Sequence, residues 1–232
     1  MDFVKSVYSS LQRFSNPERK RLSEWYFPTS MEVIGLKAED HKSVVAELKK
    51  ELRERTPSEI TGICTDLCMS GIFECQLVGY AILNRNYKLI SGLSYDIIMK
   101  LGTFMDNWVS TDSFSTQVAG PSWRLGAITD DHIAGWAMSE DRWWRRNALV
   151  STVGLNLKSQ GGEGDPVRTL AICRMLVGDK DDMVVKAMSW ALRELSKREP
   201  SYVREFMIDN ENMLPGRVKR EVYNKLETGR KN

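Results

Sequence analysis

The stretch 181–200, DDMVVKAMSWALRELSKREP, decides how the rest of the chain is read. Val184, Val185, Met188, Ala191, Leu192 and Leu195 recur at intervals that put them on one side of a helix. Lys186, Trp190, Arg193 and Lys197 recur every three or four residues and form a separate stripe. The next helix opens almost at once, at Glu199-Pro200. Proline suits the first helical position because the N–H it lacks had no intrahelical partner there.

The same signals recur along the chain. Asn16-Pro17, Thr56-Pro57 and Asp165-Pro166 each pair a polar residue with a first-turn proline, and Thr56-Pro57-Ser58-Glu59 has capping-box spacing. The periodicity predicts helices near 3–14, 17–27, 39–54, 57–70, 73–84, 87–101, 107–119, 129–138, 140–156, 166–177, 181–198, 200–209 and 216–227. No alternating strand pattern interrupts them. Many helices with short polar links predict an all-α fold, an α-solenoid of antiparallel helix pairs over a single domain, 1–232. No clean repeat is visible, so the repeats are expected to be degenerate. The most loop-like segment, SQGGEGD at 159–165, lacks a trailing Gly-Lys-Ser/Thr and reads as a flexible connector rather than a phosphate loop.

Of the 232 residues, 42% are hydrophobic and 28% charged, a soluble globular composition. No apolar run approaches the ~20 residues of a membrane span, and MDFVKSVYSSLQRF has no signal-peptide core. Cys64 and Cys68 share a helix face, Cys75 and Cys173 lie apart, and neither His41 nor His132 is near a cysteine. Free, reduced thiols, no metal site and a cytoplasmic location follow as expectations. The net charge of +2 is unevenly spread. Arg124 is the one lysine or arginine between Leu101 and Asp141, whereas Arg142, Arg145, Arg146, Lys158, Arg168, Arg174, Lys186, Arg193, Lys197 and Arg198 follow. That bias fits a polyanion partner, and equally a solvated mixed surface.

Seven tryptophans give further orientation. Trp25, Trp123 and Trp136 read as core or packing residues. Of Trp143 and Trp144, one is expected to pack inward and the other outward or sideways. Trp190 stands in the cationic stripe, or packs laterally under lysine and arginine stems. Arg142 and Arg146 share a helix face. In MDNWVSTDSF, 105–114, Trp108 and Asp112 are one turn apart. A carboxylate beside an aromatic can stabilise a cation, and an aspartate early in a helix is equally explained by the helix dipole.

Together these residues resemble the AlkD family of alkylpurine DNA glycosylases, which are built of HEAT-like helical repeats. NWVSTDSF is similar to the family's Trp-three-residues-Asp motif, which implies a catalytic Asp112 and a sugar-contacting Trp108. WWRRNAL is similar to its Trp-x-x-Arg motif and implies a phosphate-contacting Arg146. KAMSWALRELSKREPSYVREF implies a second sugar-contacting tryptophan at Trp190, with Arg193 and Lys186 as basic neighbours. EWYFPTSMEVIGL, a tyrosine segment ahead of a Gly-aliphatic pair, implies a role for Tyr26. Arg142, Arg145, Lys158 and Lys197 complete the expected DNA contacts. Two features depart from the pattern. Gly154 or Asn156 stands near the register of a family lysine, with Lys158 a little later, and the double tryptophan Trp143-Trp144 is unusual.

The resemblance implies a basic concave face and a monomeric, monofunctional glycosylase without metal or cofactor. Its substrate would be cationic N3- and N7-alkylated purines in double-stranded DNA, released with the base left stacked rather than flipped. A non-catalytic DNA-binding or protein-binding helical scaffold is the alternative. The joint presence of Asp112, Trp108, Trp190 and Arg146 distinguishes the enzyme from it.

Overall fold

In the computed structural model, residues 3–231 are described, and among them the fold is all-helical. The helices are α1 (Phe3–Gln12), α2 (Pro17–Tyr26), α3 (Ala38–Glu51), α4 (Pro57–Cys68), α5 (Phe73–Leu83), α6 (Tyr87–Ile90), α7 (Tyr95–Leu101), α8 (Trp108–Phe114), α9 (Gly120–Arg124), α10 (Asp130–Ala137), α11 (Arg142–Asn156), α12 (Pro166–Met175), α13 (Asp182–Leu195), α14 (Pro200–Asp209) and α15 (Gly216–Thr228). The start signals act as their chemistry requires. Asn16 accepts the N–H of Arg19, Asp165 that of Arg168, and Thr56 and Glu59 close a reciprocal capping box.

The chain divides into two compact units, Met1–Val118 and Ala119–Asn232. In the first, α5 packs against α1, α3, α4 and α8. Nine of its residues are buried, most of them apolar, with Glu74 and Gln76 buried among them. A single bridge between Glu32 and Ile72 ties the 31–36 segment to the start of α5. In the second, α11 is the central helix, with every residue from Arg146 to Asn156 buried and α9, α10, α12 and α13 around it. α13 in turn packs on α15. Gly154 allows the α9–α11 contact, because a Cβ there would stand 3.0 Å from the Gly120 Cα. All four cysteines are free and buried, and burial pushes the thiols of Cys64, Cys75 and Cys173 up to about 12.

Four expectations need correction. The helix expected over 87–101 is two helices, because Ser94 caps a fresh start by accepting the N–H of Ile97. The helix expected to end at 119 continues through a π turn, Ser115–Ala119, into α9. The wide turn lies just before Pro121, whose ring and missing N–H cannot sustain a regular α bond back to Gln117. The 159–165 connector is pinned by hydrogen bonds: Arg124 donates to the Gln160 carbonyl, Arg198 to that of Gly162, and the Asp165 N–H to Asn156. Trp25 is not a core residue. It is 80% exposed, whereas Trp123 and Trp136 are buried as expected.

Candidate functional site

In the first unit the site begins with Asn107. Its buried side chain accepts the N–H groups of both Val109 and Ser110, which fixes the start of α8 and sets Trp108 at its first position. Trp108 is half-buried against the cluster of Phe27, Met31, Val33 and Phe73. Its indole stands edge-on to the ring of Tyr26, with centroids 5.3 Å apart and planes at 90°. Its Nε1 lies 3.5 Å from the Tyr26 carbonyl. Trp25 stacks beside Tyr26 at 6.4 Å and 24°. The surface thus carries three aromatic rings in a row, with Trp25 and Tyr26 mostly exposed. Asp112 follows Trp108 by one turn and is half-buried, and its main-chain carbonyl accepts from the Thr116 hydroxyl at 2.7 Å.

Asp106 holds α8 to the segment that follows α2. Its carboxylate accepts from the Thr29 hydroxyl at 2.6 Å, from the Ser30 N–H at 2.5 Å and from the Ser30 hydroxyl at 2.8 Å. Burial opposes its charge, but these bonds and one from Asn107 outweigh it and hold the carboxyl below its usual range. A depressed folded pKa means that the stabilisation is present above the unfolded value and is lost as pH falls through the folded one. We expect Asp106→Ala to lower stability by about 2 kcal/mol at neutral pH. In urea melts the gap to wild type should close toward acid pH. A gap independent of pH would show that the carboxylate charge is not what holds the segment.

The second unit carries the basic residues. Arg146 is only 5% exposed, and its Nη1 donates to the Met183 carbonyl at 2.5 Å. Arg145 is turned to structural work: it pairs with Asp179 at 2.7 Å and donates to the carbonyls of Ser139 and Glu140. Arg142 lies over the Trp143 ring at 4.9 Å and 3.6 Å from Asp181. Trp144 packs inward on Trp136 at 5.1 Å. On α13, Trp190 is half-buried rather than freely displayed. Lys186 pairs with Asp182 and Lys197 with Glu194, both at 2.6 Å. Arg193 donates to Ser189 at 3.2 Å and lies 3.7 Å from Glu221. The stripe at 186–197 is therefore interleaved with carboxylates brought by neighbouring turns and by α15.

The structure also explains the departure near 154. Gly154 lies in the close α9–α11 contact, so no long side chain fits there. Asn156 is buried and bonded to Thr152, Thr169 and Asp165. Lys158, exposed in the 3-10 turn after α11, is the cation nearest that register. Trp25 is the residue that sequence reasoning missed. The signal was the lack of apolar partners in PERKRLSEWY, since α2 buries no side chain at all.

A model of the DNA alkylation repair enzyme family matches residues 7–226. Among solved structures, a predicted DNA alkylation repair enzyme from Enterococcus faecalis superimposes with a TM-score of 0.73 at 20% identity, over 92% of this chain and 97% of that one, which shows a common fold. No curated protein matches. With the family model spanning nearly the whole sequence, the chain belongs to the DNA alkylation repair enzyme family.

Proposed function

We propose that the protein is a monofunctional DNA glycosylase. In this reading it hydrolyses the glycosidic bond of N3- and N7-alkylated purines in duplex DNA, with the damaged base left in the stack. The observation that carries the reading is the row of Trp25, Tyr26 and Trp108 with Asp112, a half-buried residue, one helical turn after Trp108. Alkylation at N3 or N7 makes the purine cationic and a good leaving group. As the C1′–N bond breaks, its electrons neutralise the base and positive charge develops on the deoxyribose. Asp112 would stabilise that charge and orient the water that attacks C1′, whose proton passes to solvent. The aromatic faces favour the same cation. Trp190 is assigned to the sugar by its motif alone. Lys158, exposed after α11, would neutralise a backbone phosphate directly, whereas Arg146, Arg193, Lys186, Arg142 and Lys197 are assigned to phosphates by the resemblance alone and would have to exchange the Met183 carbonyl, Glu221, Asp182, Asp181 and Glu194 for them. Action as a cytoplasmic monomer without a cofactor belongs to the same reading.

The test is release of 7-methylguanine and 3-methyladenine from methylated duplex by the pure protein. Duplex binding without release would favour a non-catalytic DNA-binding protein. We further expect Arg146→Ala to weaken binding to damaged and undamaged duplex alike, with the salt slope of binding falling by about one. Because Arg146 also holds the Met183 carbonyl, the variant should lose about 1–3 kcal/mol of stability. Full affinity with an unchanged salt slope would restrict Arg146 to packing.

A further inference from the structure

The starts of α11, α13 and α15 come together in the second unit. Arg142 and Arg146, in the first turns of α11, reach Asp181 and the Met183 carbonyl at the opening of α13. At the same opening, the two carboxylate oxygens of Asp182 serve two cations. Its Oδ2 lies 2.6 Å from the Nζ of Lys186, one turn further along α13. Its Oδ1 lies 3.9 Å from the Nη1 of Arg217, the second residue of α15.

Helix electrostatics account for part of this arrangement. An acid in the first turn of α13 meets the positive end of that helix, and Lys186 completes an ordinary i,i+4 pair with it. Neither rule accounts for Arg217. It stands in the first turn of α15, where the dipole disfavours a cation. That start has no side-chain cap and no acid in its first turn to offset the charge. Among the described residues the Arg217 guanidinium makes no hydrogen bond, and its one ion pair, with Asp182, is too long to be one. Its five donors thus have no close protein partner, on a side chain that is 38% exposed.

Asp182 is the group that a competing anion would meet. The Lys186 hydrogen bond lowers its carboxyl pKa, slight burial opposes that, and the charges of Lys186, Arg217 and Arg146 lower it further. Its side chain is nevertheless 61% exposed, and ion pairs at such positions hold weakly. A phosphodiester presents the same pattern as this carboxylate, two oxygens sharing one negative charge. Arginine suits such an anion through its planar fork and lysine as a point charge.

We propose that Lys186 and Arg217 form a site for one backbone phosphate of duplex DNA, and that Asp182 is the carboxylate which occupies the site in the free protein and is displaced on binding. The proposal rests on the reading in which this chain binds duplex DNA, and it adds Arg217 to the contacts. Asp182 then limits how tightly any duplex is held, because each encounter must exchange it for a phosphate.

The test is fluorescence-anisotropy titration of the full-length protein with a short undamaged duplex at several salt concentrations. Asp182→Asn keeps the size of the side chain and removes its charge. It should tighten binding about threefold or more, most strongly at low salt, while melting slightly lower because α13 loses its first-turn acid. Arg217→Gln keeps much of the stem. It should weaken binding about threefold and lower the salt slope by about one, while melting at or above the wild-type temperature. A purely structural pair would lose stability in both variants and leave affinity alone. In the double variant the gain from Asp182→Asn should shrink, since one of the two cations it frees is gone. Asp209→Asn, at an exposed acid of α14, controls for net charge and should leave affinity unchanged. Unchanged affinity in Asp182→Asn or in Arg217→Gln overturns the proposal, as does equal tightening by Asp182→Asn and Asp209→Asn. No saturable duplex binding by the wild type overturns it together with the reading beneath it. Duplex binding that shifts as expected, without release of 7-methylguanine, would support the phosphate site and remove only the glycosylase.

Discussion

Asp112→Asn is expected to slow single-turnover release of 7-methylguanine by ~10²–10³, with the melting temperature and duplex affinity close to wild type. The two side chains are nearly the same size, so packing at the half-buried position survives. What is lost is the negative charge available to the sugar cation and the best acceptor for an attacking water. The helix start does not depend on Asp112, because Asn107 already serves the first N–H groups of α8. Asp112 is the fifth residue of α8, beyond its first turn, so the helix dipole gives it little to stabilise. The alternatives therefore differ by orders of magnitude in rate. A near-wild-type rate for Asp112→Asn would reduce Trp108 and Asp112 to packing residues and leave a DNA-binding protein without this chemistry. Trp108→Ala should also slow release, but with a measurable loss of stability. Its ring covers the cluster of Phe27, Met31, Val33 and Phe73.

The contrast between those two residues shows what was legible in the sequence. Trp108 and Asp112 could be placed on one side of a helix because their relation is local, four residues on a 3.6-residue period. Proline and cap signals were legible for the same reason, and the helices opening at Pro17, Pro57 and Pro166 begin where those signals stand. The contact of Trp108 with Tyr26 spans 82 residues and follows from no local pattern. Asp106, bonded to Thr29 and Ser30, helps hold α8 beside the segment that follows Tyr26. The basic residues show the opposite effect. Arg145 and Arg193 carry charge in the sequence, but Asp179 and Glu221, the groups that occupy them, lie 34 and 28 residues away along the chain. A count of cations therefore overstates how many remain open to a phosphate. Trp25 was misread because tryptophan is normally a packing residue, although the charged sequence of α2 offered it little apolar surface to join.

Gly35→Ala is the substitution expected to cost most in stability, about 3 kcal/mol or more. Gly35 has a φ of 85°, which alone disfavours any side chain. A Cβ at this position would also stand 2.4 Å from the backbone nitrogen of Lys20, 2.7 Å from its Cα and 2.8 Å from the Asn16 carbonyl oxygen. These are backbone atoms at the start of α2, so no rotamer change relieves the clash. The surrounding bonds leave little room for the segment to retreat. Gly35 donates its N–H to Glu74 at 2.7 Å, and its carbonyl accepts the N–H of Asn16 at 3.1 Å. The first turn of α2 must move, and α2 carries Trp25 and Tyr26 at its other end. Release of 7-methylguanine should therefore fall beyond what the unfolded fraction explains, at temperatures where most of the protein remains folded. Gly62→Ala is the matched control. Gly62 lies inside α4, where an added methyl would meet no atom within 4 Å and the backbone is not left-handed. Alanine there should be neutral or stabilising by up to about 1 kcal/mol through helix propensity alone. Equal denaturation midpoints for the two variants would mean that the approach of α2 to Gly35 is looser than the geometry requires. The aromatic row would then need another anchor.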